Sequence, residues 1–288
     1  MDNGAGMMQT ASMSPRLVVA AIALVASSAC AQQAPSGAAK GGPASAHSQI
    51  TEPRLAAMAG EIRGSYYHPD DLMSIDCAVN ADWPAFLASS KLAVDPERIK
   101  TLEGLKIRSR AIRGQDAAVT FDWSTGPFNT HDQIEGGLKQ VLGGFYKMYW
   151  SMLASSMISK SDKLANLETL QDGESKATID SDDMKLVITM DKTGAPTRYE
   201  FDSQVMKGTI EAGYLPSPNP VPGDLRRVST VKVNEQIGAS AVVAAFSLDY
   251  QQAGEFFVPK NVTFAVPGAY SIKLAFSDCS ASRVAISQ

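Results

Sequence analysis

Two hydrophobic rhythms divide the chain. Over residues 130–159 apolar positions recur at helical spacing: Ile134, Leu138, Val141, Leu142, Phe145, Tyr149, Met152 and Met157 form one broad stripe. Lys139 and Lys147 interrupt the apolar run, so it is not a membrane span, which needs ~20 mostly apolar residues. Thr130 with Gln133 three residues on reads as a capping box at its start. Beyond this stretch the rhythm changes to period two. Met184, Leu186, Ile188 and Met190 face one way, with Lys185 and Thr189 opposite. Segments 175–181, 197–202, 205–214, 225–234, 241–250, 255–266 and 270–276 read as further strands. Asp191-Lys192-Thr193-Gly194 is a turn, and 215–223, with four prolines, is a loop.

Upstream of the long helix the elements are shorter. Residues 52–64 predict a helix with Leu55, Met58, Ala59 and Ile62 on one face and Pro53 in its first turn. A strand over 72–79 follows, then helical pieces over 81–92 and 95–103. Residues 105–113 and 117–124 form a hairpin around Gly114-Gln115-Asp116. In its second arm Val119, Phe121 and Trp123 alternate with Thr120 and Asp122, the mark of a sheet with one dry face.

Adjacent strands with short turns predict an antiparallel meander, and a sheet this long curls. The expected fold is therefore α+β: a curved antiparallel sheet, or incomplete barrel, with helices packed in or over its concave face. If the helices fill the hollow it is a core; if they lie over it as a lid it is a pocket. The residues expected to line such a pocket are Phe145, Tyr149, Met152 and Met157 on the helix, with Val119, Phe121, Trp123, Leu186 and Ile188 on strands. Methionine is pliable, so a Met-rich aromatic face suits a greasy or shape-changing surface. Most helices with such a stripe simply close a core.

The first residues change the picture from fold to compartment. Arg16 precedes an apolar run over 17–26 and then Ser27-Ser28-Ala29-Cys30-Ala31, which matches an export signal over 1–31. Met13 is a second candidate start. The exit reads two ways. Ala29-Cys30-Ala31 is an A-x-A site with a soluble product. Ser27-Ser28-Ala29-Cys30 resembles a lipobox with Cys30 as the acylated residue, although Ser27 stands where Leu is usual. Residues 32–50, rich in Ala, Gly, Ser and Pro, read as a flexible tether, leaving 51–288 as a single domain. A net charge of -4 over 288 residues argues against a nucleic-acid partner.

Cys77 and Cys279 are the cysteines left beyond the signal region. In an oxidising periplasm an even pair suggests a disulfide; the other reading is two buried thiols. His68 with Asp70 and Asp71, and Asp180 with Asp182 and Asp183, read better as solvated turns than as metal sites. No G-x-S-x-G, H-E-x-x-H or phosphate-cradling glycine loop occurs, so no metal, cofactor or catalytic residue is expected. Gly143-Gly144 inside the long helix either admits a close backbone or weakens the helix.

The order of parts resembles the bacterial lipoprotein-carrier fold of LolA, LolB and mycobacterial lipid-carrying lipoproteins. The local likenesses are Leu186-Val187-Ile188-Thr189-Met190-Asp191-Lys192-Thr193-Gly194-Ala195-Pro196 and Gly254-Glu255-Phe256-Phe257-Val258-Pro259-Lys260-Asn261-Val262. The resemblance implies a half-barrel whose apolar hollow accepts acyl chains, with no cofactor and no covalent chemistry. The Cys77 and Cys279 pair is not part of that pattern. The expected function is a non-catalytic envelope protein, periplasmic or anchored to the outer membrane, that binds a lipid or lipidated ligand. The alternatives are an envelope scaffold with a filled core and a hydrolase with an unfamiliar site.

Overall fold

The computed structural model describes residues 52–90, 96–124, 131–153, 158, 162–181, 184–204, 206–215, 225–237 and 240–283. Helix α1 (Pro53–Ser65) begins where Glu52 caps it. That carboxylate accepts from the backbone N–H of Arg54 at 3.1 Å and of Leu55 at 2.6 Å. Strand β1 (Leu72–Ala81) leads to α2 (Trp83–Ser89), capped by Asp82 through the Ala85 N–H at 3.1 Å. Helix α3 (Pro96–Glu103), the hairpin of β2 (Leu105–Ile112) and β3 (Ala118–Trp123), and the long helix α4 (His131–Leu153) follow. Strands β4 (Lys163–Thr169), β5 (Ser175–Asp180), β6 (Met184–Met190), β7 (Pro196–Ser203) and β8 (Met206–Leu215) come next. The chain of strands ends with β9 (Arg227–Ile237), β10 (Ser240–Ala253), β11 (Phe256–Val266) and β12 (Tyr270–Arg283).

All twelve strands belong to one open antiparallel sheet in the order β3-β2-β1-β12-β11-β10-β9-β8-β7-β6-β5-β4. The meander over the second half is as the period-two pattern predicts. One pairing joins distant sequence: β1 lies beside β12, with Val79 opposite Phe276. The two edge strands, β3 and β4, are neighbours in sequence, and α4 is the connection between them. A flat sheet of this breadth would be ~50 Å across, whereas a helix of 23 residues is ~35 Å long. Curvature of the sheet about α4 reconciles the two, and the architecture is the α+β curved sheet expected.

The sheet has a dry face and a wet one. Cross-strand rows such as Ala177, Ile188, Tyr199, Ile210, Val233 and Ala244 are buried in register. On β2 the alternation is clean, with Lys106, Arg108 and Arg110 exposed between buried Leu105, Ile107, Ser109 and Ala111.

One strand was not expected. Residues 163–169 carry no apolar alternation, because Leu164 and Leu167 are three apart, which reads as helical. The structure resolves this with a register shift between Leu164 and Asn166. Leu164 then pairs with Ile179 and Leu167 with Ala177, so both leucines face the dry side. The first of the two short helical pieces starts later and ends earlier than predicted, and β12 runs on to Arg283 because it continues to pair with β1. Thr130 of the expected capping box and most of the proline-rich loop lie outside the described residues.

Candidate functional site

Helix α4 places its stripe against the dry face. Leu142, Phe145 and Tyr149 are fully buried, and Tyr146 nearly so. The Phe145 ring lies 5.9 Å from that of Phe276 on β12 and 6.4 Å from that of Phe246 on β10. Tyr149 packs edge-on to Trp150 at 5.3 Å. These are contacts between apolar ring surfaces in tilted or edge-on geometry.

Polar fastenings hold α4 mainly at the β2–β3 side. The hydroxyls of Tyr146 and Ser109 are 2.9 Å apart. The Trp123 indole N–H donates to Glu135 at 3.0 Å, and the Trp123 ring stacks on His131 at 3.8 Å. Lys147 reaches Asp116 at 3.2 Å, and Lys139 lies over the Phe121 ring at 5.3 Å. Arg113 donates to the carbonyls of Pro69 and Asp70, each at 2.7 Å, and faces the Trp150 ring at 5.6 Å. Burial lowers the pKa of Arg113. The Tyr149 hydroxyl donates to the Phe257 carbonyl at 3.5 Å, while the Tyr67 hydroxyl accepts from the Phe257 N–H at 2.9 Å. Burial pushes the Tyr67 hydroxyl up to about 12 and raises Tyr146 and Tyr149 further, so all three stay neutral at physiological pH.

The candidate pocket residues among the described side chains are spread over α4 and both halves of the sheet. Phe145 and Tyr149 are fully buried at its centre, and Leu186 and Ile188 on β6 are 1 % exposed. Val119, Phe121 and Trp123 are half-buried on β3, at the opposite edge from β6. All belong to, or pack against, one continuous core. Around the middle of α4 the protein's own side chains shield one another from solvent. The side chain of Met152 and the whole of Met157 lie outside the described residues, as does Cys30.

Cys77 and Cys279 are joined, with Cα atoms 4.2 Å apart. Between the pairs Asp76 with Ser280 and Ala78 with Ser277, two residues of β12, Asp278 and Cys279, oppose Cys77 alone. Asp278 takes φ 48°, the left-handed conformation found in one class of bulge. The Gln251 amide on β10 donates to the carbonyls of Phe276 on β12 at 2.8 Å and Pro259 on β11 at 2.9 Å, bracing these three strands.

Several residues at this face were not legible beforehand. Tyr146 and Ser109 lie on the buried side of their elements, but nothing in sequence spacing says that they meet. Glu235 is 3 % exposed and sits in register with Gly208 and Val242, within an otherwise apolar row. Its neighbours Val233 and Val231 mark the dry face, so the alternation alone places it there. His68 holds Asp70 at 2.8 Å. Among the described residues no group of three or more His, Cys, Asp or Glu side chains could hold a metal ion, and Asp182 and Asp183 lie outside them. No helix among them is long and apolar enough to cross a membrane.

Comparison with family models gives no match, and no curated protein matches the chain. Among solved structures, the chain is similar to a "putative outer membrane lipoprotein-sorting protein domain" from Vibrio parahaemolyticus. The identity is 11 % over 81 % of this chain and 92 % of that one, with a TM-score of 0.24. At this identity and TM-score the likeness carries no argument.

Proposed function

We propose that this is an exported bacterial envelope protein that holds a hydrophobic ligand of the acyl-chain class between the curved sheet and α4. Export is supported by two independent features, the signal-like 1–31 segment and the Cys77–Cys279 disulfide, a bond suited to an oxidising compartment. The observation that carries ligand binding is the character of the α4 interface. Its centre, built from Phe145, Tyr149, Phe246 and Phe276, is apolar, and the strong polar fastenings lie toward β2 and β3. Exchanging such contacts for contacts with an acyl chain leaves few buried hydrogen bonds broken. The helix would therefore move as a cover while hinged at the β2–β3 side. The acylation of Cys30, which would anchor the protein to the outer membrane, is part of the same proposal.

Burial favours a second reading. Phe145 and Tyr149 are already wholly shielded, which suits a filled core and a protein that works through its outer surface. Titration of the delipidated protein with a fluorescent fatty acid separates the two. Saturable binding with energy transfer from the tryptophans supports the carrier. No saturable uptake, together with native mass spectra free of lipid after purification from membranes, leaves the filled-core reading.

A further inference from the structure

The unexpected strand β4 is an edge of the sheet, and it is exposed along most of its length. Leu167 is 42 % exposed, one of three large apolar side chains so placed among the described residues. An open edge offers unpaired backbone donors and acceptors to another strand. We propose that β4 pairs antiparallel with β4 of a second copy of this chain, joining two sheets through a twofold axis.

The bulge in β4 decides which side chains share a face. Because of the shift between Leu164 and Asn166, Leu164 and Leu167 face the dry side, opposite Ile179 and Ala177. Lys163 and Glu168 face the other side, opposite Asp180 and Lys176. The Asn166 amide reaches Glu168 at 2.6 Å on that same wet side. In an antiparallel pair, residues directly opposite share a face. Setting Lys163 against Glu168 of the second copy also sets Leu164 against Leu167, and twofold symmetry repeats both pairs. Each match is then consistent in face as well as in chemistry: leucine on leucine on the dry side, opposite charges on the wet side. The wet side would carry an alternating row across four strands, Lys176, Glu168, then Lys163 and Asp180 of the second copy. A regular strand without the bulge would put Leu164 and Leu167 on opposite faces, and no such register would exist.

Six residues a side make a small interface, so the association is weak, with a dissociation constant of about 1 µM to 1 mM. The test is sedimentation of the full exported chain carrying Cys30→Ser, which removes acylation as a cause of association. Dimerisation that weakens with added salt is expected. Lys163→Glu and Glu168→Lys should each weaken it about tenfold or more, since each creates two like-charge contacts per dimer. An equimolar mixture of the two variants should regain it, because both crossed pairs are then attractive. The changes within each chain are the same in the mixture as alone, so recovery reports the contact between chains. A monomer throughout the range, a Lys163→Glu dimer as tight as the parent, or a mixture that fails to associate would each overturn the proposal. A monomer whose β4 amides are protected from exchange overturns it in favour of another occupant of the edge.

Discussion

The hydroxyls of Ser109 and Tyr146 lie 2.9 Å apart and buried, the one on β2 and the other on α4. This is a buried directional tie beside the ring packing, one of several polar fastenings of α4 toward β2 and β3. Burial raises the Tyr146 pKa, so the phenol stays protonated and the bond persists across the physiological range. Tyr146→Phe leaves the Ser109 hydroxyl buried without its partner and should cost ~1–3 kcal/mol. Adding Ser109→Ala should recover much of that loss, because both ends of the bond are then apolar. Denaturant unfolding of the two single variants and the double variant measures the coupling directly.

The disulfide gives the second prediction. Cys77 and Cys279 are 202 residues apart in sequence, so the bond closes nearly the whole domain. In the chain-entropy model a loop of that length stabilises by ~5 kcal/mol. Paired replacement, Cys77→Ala with Cys279→Ala, should lower the unfolding midpoint strongly and abolish the difference between reduced and oxidised protein. An unchanged midpoint would mean that the bond constrains a denatured chain already held together elsewhere.

What could be read from sequence tracks how local its cause is. The α4 stripe and the strands from β5 onward are set by periodicity along a single segment, and Leu186, Ile188, Phe145 and Tyr149 landed on the dry face as expected. Counting cysteines left two readings of Cys77 and Cys279, a disulfide or two buried thiols, and the structure joins them. Strand β4 escaped because its cause is not local: pairing with β5 and the bulge at Ala165 override a helical leucine spacing. Sequence also put Val119, Phe121, Trp123, Leu186 and Ile188 together as one lining. In the sheet order β3 is one edge and β6 lies toward the other, an arrangement set by the β1–β12 pairing rather than by chain proximity.

The turn between β6 and β7 predicts a pH effect. Burial alone would raise the Asp191 pKa, but bonds from Arg226, from the Thr193 hydroxyl and N–H, and from the Ala195 N–H outweigh it. The carboxyl is held at about 2, below its ordinary 3.8. Arg226 reaches it at 3.0 Å from just before β9, so the carboxylate ties two distant segments. A depressed folded-state pKa contributes stability that is full above the unfolded value and is lost as pH falls through the folded one. Asp191→Asn should therefore lower the melting temperature at pH 7. The gap from the parent should close as pH falls from about 5 to about 2. A gap independent of pH over that window would show that the carboxylate charge contributes nothing.

Two glycines should respond in opposite directions to the same change. A Cβ added at Gly143, inside α4, meets nothing within 4 Å. No close backbone needs that glycine, so there it only weakens the helix. Gly143→Ala should stabilise by ~0.5–1 kcal/mol through backbone entropy and helix propensity. At Gly208 on β8 the same atom would lie 2.4 Å from the Asn234 carbonyl oxygen and 2.7 Å from the Phe201 ring. Gly208 is in register with Phe201 on one side and Glu235 on the other, so the missing side chain is where the Phe201 ring lies. Relief would require the β8–β9 ladder or the ring to shift, and Gly208→Ala should destabilise by ~1–3 kcal/mol. Thermal melts should thus move up by a few degrees for the first and down for the second, at ~2–4 °C per kcal/mol for a domain of this size.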